Sequence, residues 1–162
     1  MVIRDALPAE LAEVGEIRVA AYRADNFLAA DSDYESTLRA LGAGGAGHVL
    51  VAAGADGDLA GTVMMQGWPD AGPLVRSPDE AEIRALAVLP LARGLGVGRA
   101  LLRAVIERAI REQVRHLVLF TQPAMRAAHH LYEEAGFVRL PERDWSPGPD
   151  VSLLAYGLRL PA

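Results

Sequence analysis

Two residue types are missing from this sequence of 162 residues, cysteine and lysine. Without cysteine the chain can form no disulfide, no thiolate metal site and no cysteine nucleophile. All 16 basic residues are therefore arginine. A GC-rich coding bias is one explanation for the absence of lysine. The other is that an enzyme with an amine-reactive substrate benefits from having no side-chain amines. Composition does not separate these two explanations.

The chain also lacks a basic surplus and a long apolar run. Its formal net charge of -5 argues against sequence-independent binding of nucleic acid, which requires a basic surface. No apolar stretch reaches the length of a transmembrane helix, and the first residues resemble a strand and a capped helix rather than a leader peptide. With 51% hydrophobic residues, the sequence predicts a single globular domain over residues 1–162, located in the cytoplasm and without a membrane or nucleic-acid partner.

Hydrophobic periodicity predicts an alternation of strands and helices. In the first half we expect a strand over 2–5, a helix opened by Pro8, a second helix capped by Asp31 or Ser32 and running toward Leu41, and a hairpin of strands 48–53 and 59–66. In the second half we expect a strand over 81–89, a helix after the glycines at 94–98, a strand over 116–121, a helix over 123–134, and strands over 137–140 and 151–160. The residues between these last two strands are predicted to be loop.

The strand–helix–strand passage over 81–121 predicts a parallel pair joined by a crossover, whereas the hairpins predict antiparallel pairs. The predicted fold class is therefore α/β, in the α+β sense. It contains a single mixed, mostly antiparallel sheet of about seven strands flanked by four helices.

The stretch RGLGVG, Arg93 to Gly98, lies between a predicted strand and a predicted helix. A phosphate-binding P-loop would require lysine and a hydroxyl residue where Arg99 and Ala100 stand. A dinucleotide fingerprint would require a glycine at Arg99 and an acidic residue near Phe120. The pattern Arg/Gln-x-x-Gly-x-Gly/Ala does fit, through Arg93, Gly96 and Gly98. A tight turn with no ligand remains the simpler alternative.

With this turn the chain resembles the GNAT superfamily, the Gcn5-related N-acetyltransferases. Residues 129–140, HHLYEEAGFVRL, are similar to the second signature of that family, and residues 81–88, AEIRALAV, are similar to the strand that leads into its coenzyme site. The resemblance is strongest over residues 81–140. It implies the GNAT fold and an acyltransferase that uses acetyl-CoA as co-substrate, with no metal.

The resemblance also implies where the coenzyme would bind. Glycines allow backbone N–H groups to approach a phosphate closely, and the positive end of the helix dipole favours an anion there. Backbone groups of the preceding strand would pair with the pantetheine arm and polarise the thioester carbonyl. The cofactor-binding residues implied in this way are Leu86, Ala87, Val88, Arg93, Gly94, Leu95, Gly96, Val97, Gly98 and Arg99.

Two catalytic residues follow from the resemblance. Tyr132 stands where the family keeps a tyrosine that protonates the departing thiolate, and the reference pKa of a phenol is close to that of an alkyl thiol. Glu82 stands where histone acetyltransferases of the superfamily keep a glutamate base. The alternatives are a core tyrosine and a carboxylate paired with Arg84. His48, His116, His129 and His130 are rival bases because imidazole titrates near neutral pH.

The resemblance places the acceptor pocket between the first two helices. There Tyr22, Phe27 and Tyr34 supply aromatic surface, and Asp31 and Asp33 supply negative charge that suits a cationic amine, although such a charge run is also typical of a solvated loop. Trp68 and Trp145 are candidate lids. One departure is Met125, which stands where many relatives carry an asparagine that contacts the pantetheine arm.

The sequence therefore predicts an N-acetyltransferase that moves an acetyl group from acetyl-CoA to a primary amine directly, through a tetrahedral intermediate. The acceptor, a small-molecule or peptide amine, is left open. A non-catalytic acyl-CoA-binding or regulatory domain of the same fold is the alternative, as is a transferase of a larger acyl group such as succinyl, held by Arg84 or Arg126. The resemblance also allows a homodimer formed through the late strands.

Overall fold

A computed structural model describes residues 1–28, 33–45 and 47–161. Its elements are, in chain order, β1 (Val2–Asp5), a 3-10 turn (Pro8–Glu10), α1 (Leu11–Ala24), α2 (Tyr34–Ala40), β2 (His48–Ala53), β3 (Leu59–Gly67), β4 (Glu80–Val88), α3 (Val97–Arg111), β5 (His116–Thr121), α4 (Arg126–Glu134), β6 (Val138–Arg139), β7 (Trp145–Gly148) and β8 (Val151–Arg159). The strands follow one another in the order β1-β2-β3-β4-β5-β8-β6, with β7 paired to β8.

The predicted fold class is confirmed as a mixed α/β structure with one open, mostly antiparallel sheet and, within the described ranges, four α-helices. β4 and β5 are parallel, as the predicted crossover requires, while β1–β2, β2–β3 and β5–β8 are antiparallel. The predicted bounds of β1 and β5 are those observed. Among the described helices, none is long and apolar enough to cross a bilayer.

Two predicted helix starts and one predicted loop are wrong. Pro8 begins a 3-10 turn, and the α-helix starts only at Leu11. The helix predicted from Pro123 starts at Arg126, because Met125 N–H bonds the Gln122 carbonyl in a separate turn and Met125 has a non-helical ψ of 59°. The segment predicted as loop contains β7, whose ladder with β8 is irregular between Trp145 and Gly148 and so accommodates Pro147. The predicted cap at Asp31 or Ser32 lies outside the described residues.

The described chain divides into two compact units. Unit 1 consists of Met1–Met65 and Ala85–Val105, and unit 2 consists of Gln66–Arg84 and Ile106–Ala162. Strand β4 and helix α3 each contribute one end to either unit. The prediction of a single acetyltransferase domain over residues 1–162 stays a prediction.

In unit 1, the apolar side of α1 packs on the hairpin. One cluster of buried side chains consists of Val14, Ile17, Ala21, Val51, Ala53, Leu59 and Ala87. A second cluster joins α1 to α2 through Val19, Leu28 and Leu38. The two helices approach closely at Gly15, where a Cβ atom would lie 2.9 Å from the Arg39 carbonyl oxygen. Only glycine fits at this crossing, so α2 is held close against α1.

In unit 2, β5 is the buried central strand that its apolar composition predicts. It pairs with β4 on one side and with β8 on the other. Leu117, Val118 and Leu119 are at most 1% exposed. Leu74, Val75, Val118 and Ala155 form a buried cluster. The elements of this unit carry Glu82 and Tyr132.

Candidate active site

The glycine turn in unit 1 is shaped by backbone conformation rather than by crowding. Gly94 and Gly96 have φ values of +77° and +81°, in the left-handed region that favours glycine. A Cβ atom built on either residue would meet no heavy atom within 4 Å. Helix α3 begins immediately afterwards, at Val97. The turn therefore presents an open backbone surface at the N-terminal end of a helix, where the first N–H groups have no partner within the helix.

The side chain of Arg93 is bound to the end of helix α1. Its Nη1 donates to Oδ1 of Asp25 at 2.6 Å, and its Nη2 donates to the Ala21 carbonyl oxygen at 3.3 Å. Its Nε donates to the Val88 carbonyl oxygen, also at 3.3 Å. The guanidinium of Arg93 is thus already engaged with partners of unit 1, although the resemblance places Arg93 among the coenzyme-binding residues.

The extended backbone of strand β4 is interrupted at Ala85, which has a φ of +53°. The parallel ladder to β5 ends before it, at the pair Ile83–Leu119. Within the described residues, Leu86, Ala87 and Val88 therefore have no register partner on β5. Their chain is secured on the β3 side, where Leu89 N–H bonds the Ala60 carbonyl oxygen at 2.9 Å. A strand end that lacks a partner strand on one side is the kind of backbone with which another extended molecule can pair.

Tyr132 lies on α4 and is only 6% exposed. Its ring contacts those of Phe137 and Tyr156, with centroids 5.7 and 6.2 Å away. Its hydroxyl makes no hydrogen bond to any residue in the described ranges. Burial raises the pKa of this phenol above its usual value near 10, so it stays protonated at neutral pH.

Glu82 lies on β4, opposite Val118 in the ladder with β5, and is 6% exposed. Burial raises the pKa of its carboxyl group, although the charge of Arg84 and a hydrogen bond from the Gly72 backbone act in the opposite direction. The nearest Arg84 nitrogen, Nε, is 4.0 Å from Oε2. A buried carboxylate with a raised pKa is a stronger base than an exposed one.

The histidines show less suitable surroundings for a base. His116 is buried, and its Nδ1 lies 2.9 Å from Oε2 of Glu80. His129 Nε2 lies 3.0 Å from the Gln122 carbonyl oxygen, and the ring stacks on Tyr156. His130 is exposed and His48 is half-buried. His116 and His129 are thus held by structural contacts.

Two of the predicted acceptor residues, Tyr22 and Phe27, lie in unit 1 at the end of α1. Tyr22 and Phe27 form an edge-to-face pair with centroids 6.4 Å apart, and Phe27 N–H bonds the Tyr22 carbonyl oxygen at 2.9 Å. Tyr34, at the start of α2, is 41% exposed. Asp31 lies outside the described residues, and Asp33 precedes α2. The structure thus brings Tyr22 and Phe27 together on one turn.

The remaining candidates belong to unit 2. Trp68 and Trp145 are each about half exposed. The rings of Trp145 and Phe120 lie with their centroids 5.9 Å apart. The sulfur of Met125 accepts a hydrogen bond from Thr121 Oγ1 at 3.7 Å. In the part of the chain that the structure describes, no group of histidine and acidic side chains could hold a metal ion.

Sequence reasoning missed Asp25, the partner of Arg93, and the buried set formed by Glu80, His116 and Arg143. Asp25 directly follows a helix, where an acidic residue carries no particular signal. Glu80 directly precedes the predicted strand 81–89 and resembles a solvated acid. Both depend on arginines that are more than 60 positions away, so no local pattern could have indicated them.

Comparison with known proteins agrees with this geometry. The profile of the Acetyltransferase (GNAT) family matches residues 11–137. The chain therefore belongs to the GNAT family of acetyltransferases, which confirms the resemblance found in the sequence. It is accordingly a member of a family of acyltransferase enzymes.

Several individual proteins are similar to parts of the chain. It is 34% identical over 90 residues, 56% of its length, to a mycothiol acetyltransferase of Paenarthrobacter aurescens, of which 27% is covered. It is 41% identical over 63 residues, 39% of its length, to an N-acetylaspartate synthetase of Danio rerio, of which 22% is covered. The chain thus spans about a quarter of the length of these curated relatives.

Solved structures match along the whole chain. A GNAT-family acetyltransferase of Staphylococcus aureus superposes with a TM-score of 0.78 at 17% identity, over 99% of both chains. A protein of Salmonella typhimurium, solved with its cofactor acetyl-CoA, superposes with a TM-score of 0.71 at 24% identity, over 100% of this chain and 95% of the other. These likenesses establish the fold.

Proposed function

We propose that this protein is an N-acetyltransferase that transfers an acetyl group from acetyl-CoA directly to a primary amine. The observation that carries the proposal is the glycine turn. Gly94 and Gly96 expose backbone at the start of α3, and the space beside them is open. Backbone N–H groups directed outward at a helix N-terminus bind phosphate groups well. Membership of the GNAT family supports acetyl-CoA as the molecule that carries those phosphates.

In this proposal the pyrophosphate of the coenzyme binds the backbone of Arg93, Gly94, Leu95, Gly96, Val97, Gly98 and Arg99. The pantetheine arm pairs with Leu86–Val88, the end of β4 that has no register partner on β5 among the described residues. N–H groups of the same stretch polarise the thioester carbonyl and stabilise the oxyanion of the tetrahedral intermediate. No metal takes part.

Glu82 is proposed to take the proton from the acceptor ammonium, directly or through water. Its burial and raised pKa support this role, because a carboxylate with an ordinary pKa is a weak base toward an ammonium group. The amine then attacks the carbonyl carbon, and a bond forms between nitrogen and carbon. No covalent intermediate with the enzyme is needed.

Tyr132 is proposed to protonate the thiolate when the tetrahedral intermediate collapses and the carbon–sulfur bond breaks. A buried phenol with a raised pKa is fully protonated before the step, and so it can act as an acid at any physiological pH. Its hydroxyl makes no hydrogen bond to another described residue and can therefore donate to the sulfur. This assignment rests on the position of Tyr132 in the family signature.

The acceptor is proposed to be a small-molecule or peptide amine that contacts Tyr22, Phe27 and Tyr34. Aromatic faces suit an ammonium group or an apolar body that carries one. The relatives are named mycothiol acetyltransferase and N-acetylaspartate synthetase, and these names refer to two different small molecules. Cytoplasmic location and a homodimer formed through the late strands are part of the same proposal.

Calorimetric titration with acetyl-CoA tests the coenzyme site. We expect acetyl-CoA to bind, succinyl-CoA to bind more weakly, and Gly96→Glu to abolish binding because it adds bulk and negative charge at the pyrophosphate. Gly45→Glu is the matched control, since Gly45 has a φ of +85° and open surroundings but lies in another loop.

Thiol release on a panel of amines then tests transfer. Release that depends on the amine supports the enzyme, and tighter binding of succinyl-CoA would indicate the larger acyl group. Binding without any amine-dependent release would indicate a non-catalytic acyl-CoA-binding domain. Failure of wild-type protein to bind acetyl-CoA would refute the proposal.

A further inference from the structure

Arg93 connects the glycine turn to the end of helix α1. Its guanidinium donates to the Asp25 carboxylate at 2.6 Å, to the Ala21 carbonyl oxygen at 3.3 Å and to the Val88 carbonyl oxygen at 3.3 Å. We name this set of contacts the α1 clamp. It lies entirely in unit 1 and joins the end of β4, the start of the turn and the last turn of α1.

The guanidinium is well placed for this structural task. Ala21 is in the last turn of α1, where carbonyl groups lack partners within the helix and the helix dipole favours a cation. Asp25 is the residue that ends the helix. Three nitrogens of Arg93 are used by these contacts, and the planar fork of arginine suits such a set better than lysine would.

The residues that follow Asp25 carry the aromatic pair of the proposed acceptor site. Asn26 has a φ of +60°, which reverses the chain, and Phe27 N–H then bonds back to the Tyr22 carbonyl oxygen. Leu28 is 7% exposed and packs with Val19 and Leu38. The position of Phe27 beside Tyr22 is therefore determined by a short turn whose first residue is held by Arg93.

We propose that Asp25 and the side chain of Arg93 are positioning residues for the amine acceptor, and that this side chain does not serve as a ligand of the coenzyme phosphates. Asp25 holds the guanidinium at the end of α1, and the clamp fixes the turn that carries Phe27. Coenzyme binding is left to the backbone of the glycine turn. This inference rests on the proposed function, because it assigns Tyr22 and Phe27 to the acceptor.

Two variants separate the alternatives. Asp25→Asn removes the charge that holds Arg93, and Arg93→Gln keeps the motif, which accepts glutamine at this position. If the Arg93 side chain is a phosphate ligand, Arg93→Gln weakens the binding of acetyl-CoA. Asp25→Asn then leaves that binding unchanged or strengthens it. A clamp is broken by either variant. The double variant should then add little, since both single changes remove the same contacts.

The primary measurement is hydrogen exchange over residues 19–28, with the Phe27 amide as reporter because it is hydrogen-bonded. We expect exchange at least threefold faster in both single variants, with no further increase in the double variant. Calorimetry should give a dissociation constant for acetyl-CoA within about twofold of wild type in each. Glu10→Gln is the matched control, since it breaks the Arg4–Glu10 ion pair near the other end of α1.

Kinetics supply the readout that loss of stability alone would not produce. With the best amine from the thiol-release panel, the KM of the amine should rise three- to tenfold in both variants at nearly constant kcat. Asp25→Glu should restore most of that loss, and Glu10→Gln should leave the KM unchanged.

A tenfold or greater loss of acetyl-CoA affinity in Arg93→Gln, with unchanged exchange in Asp25→Asn, would overturn the inference and make Arg93 a phosphate ligand. If wild-type protein neither binds acetyl-CoA nor releases thiol, the proposed function fails. The exchange comparison would still decide whether the clamp exists.

Discussion

Arg143 donates two hydrogen bonds to the carboxylate of Glu80, at 3.0 and 2.8 Å, and both side chains are largely buried in unit 2. His116 Nδ1 lies 2.9 Å from the same carboxylate, and the Arg76 backbone N–H donates to it at 2.9 Å. Burial alone would raise the pKa of Glu80, but these hydrogen bonds outweigh it and lower the pKa to about 2. The carboxylate is therefore ionised in the folded protein throughout the neutral range.

Stability should consequently fall in acid. The folded pKa of Glu80 lies below the ordinary value of 4.5, so ionised Glu80 stabilises the fold above that value. This stabilisation is lost as the pH falls from about 5 through 4.5 toward 2, and it amounts to roughly 1–3 kcal/mol. Urea denaturation between pH 7 and pH 3 measures it. Glu80→Gln should flatten this dependence, whereas Glu107→Gln, at an exposed position, should keep it. Equal slopes in wild type and Glu80→Gln would contradict the assignment.

Gly157 is predicted to tolerate no side chain. A Cβ atom there would lie 2.4 Å from His116 Nε2 and 2.7 Å from Leu140 Cδ1. Gly157→Ala must therefore displace a buried ring and should cost about 1–3 kcal/mol. Thermal or urea denaturation measures the loss. Gly67→Ala is the control, because a Cβ atom there meets nothing within 4 Å. Similar stability of the two variants would show that the β8 backbone can shift.

Tyr132→Phe should lower turnover by about 10²–10⁴-fold, the range of general acid–base catalysis, if the phenol protonates the thiolate. Stability should change little, since the hydroxyl makes no hydrogen bond to a described residue. The pH profile of the wild type should show no alkaline loss from Tyr132 below about pH 10, because burial raises its pKa above that reference value. Tyr156→Phe, which loses only the 3.2 Å bond to Glu133, is the control. Full turnover of Tyr132→Phe at every pH would exclude the acid role.

Glu82→Gln should slow acetyl transfer and at the same time stabilise the protein at neutral pH. Burial raises the pKa of Glu82, which means that the folded state disfavours the charged form. Ionised Glu82 therefore destabilises the fold above its folded pKa, and the neutral amide avoids that cost while keeping an acceptor for the Gly72 N–H. Denaturation at pH 7 and a pH–rate profile measure the two effects. If Glu82→Gln keeps the turnover of the wild type and the acidic limb of its pH–rate profile, another group or water is the base.

Much of the fold could be predicted because its signals are local. The apolar run of β5, the hairpin turn between β2 and β3, and the glycines before α3 each occupy a few consecutive residues, and each was found within two residues of its bounds. The start of α4 and strand β7 are predicted wrongly because the local signals there differ from the structure that distant backbone partners produce. Pro123 and Pro147 suggest a helix start and a loop, but Gln122 and β8 provide backbone partners that override these local preferences.

The sequence by itself determined the family, the glycine turn and the identities of Tyr132 and Glu82 as candidates, because these depend on residue type at fixed short spacing. Only the tertiary structure decided that Arg93 binds Asp25, 68 positions away, and that Arg143 binds Glu80, 63 positions away. Sequence periodicity records which side of an element is apolar. It does not record that Arg93 meets Asp25 or that Arg143 meets Glu80, since these two pairings arise only when elements distant in the sequence pack against each other.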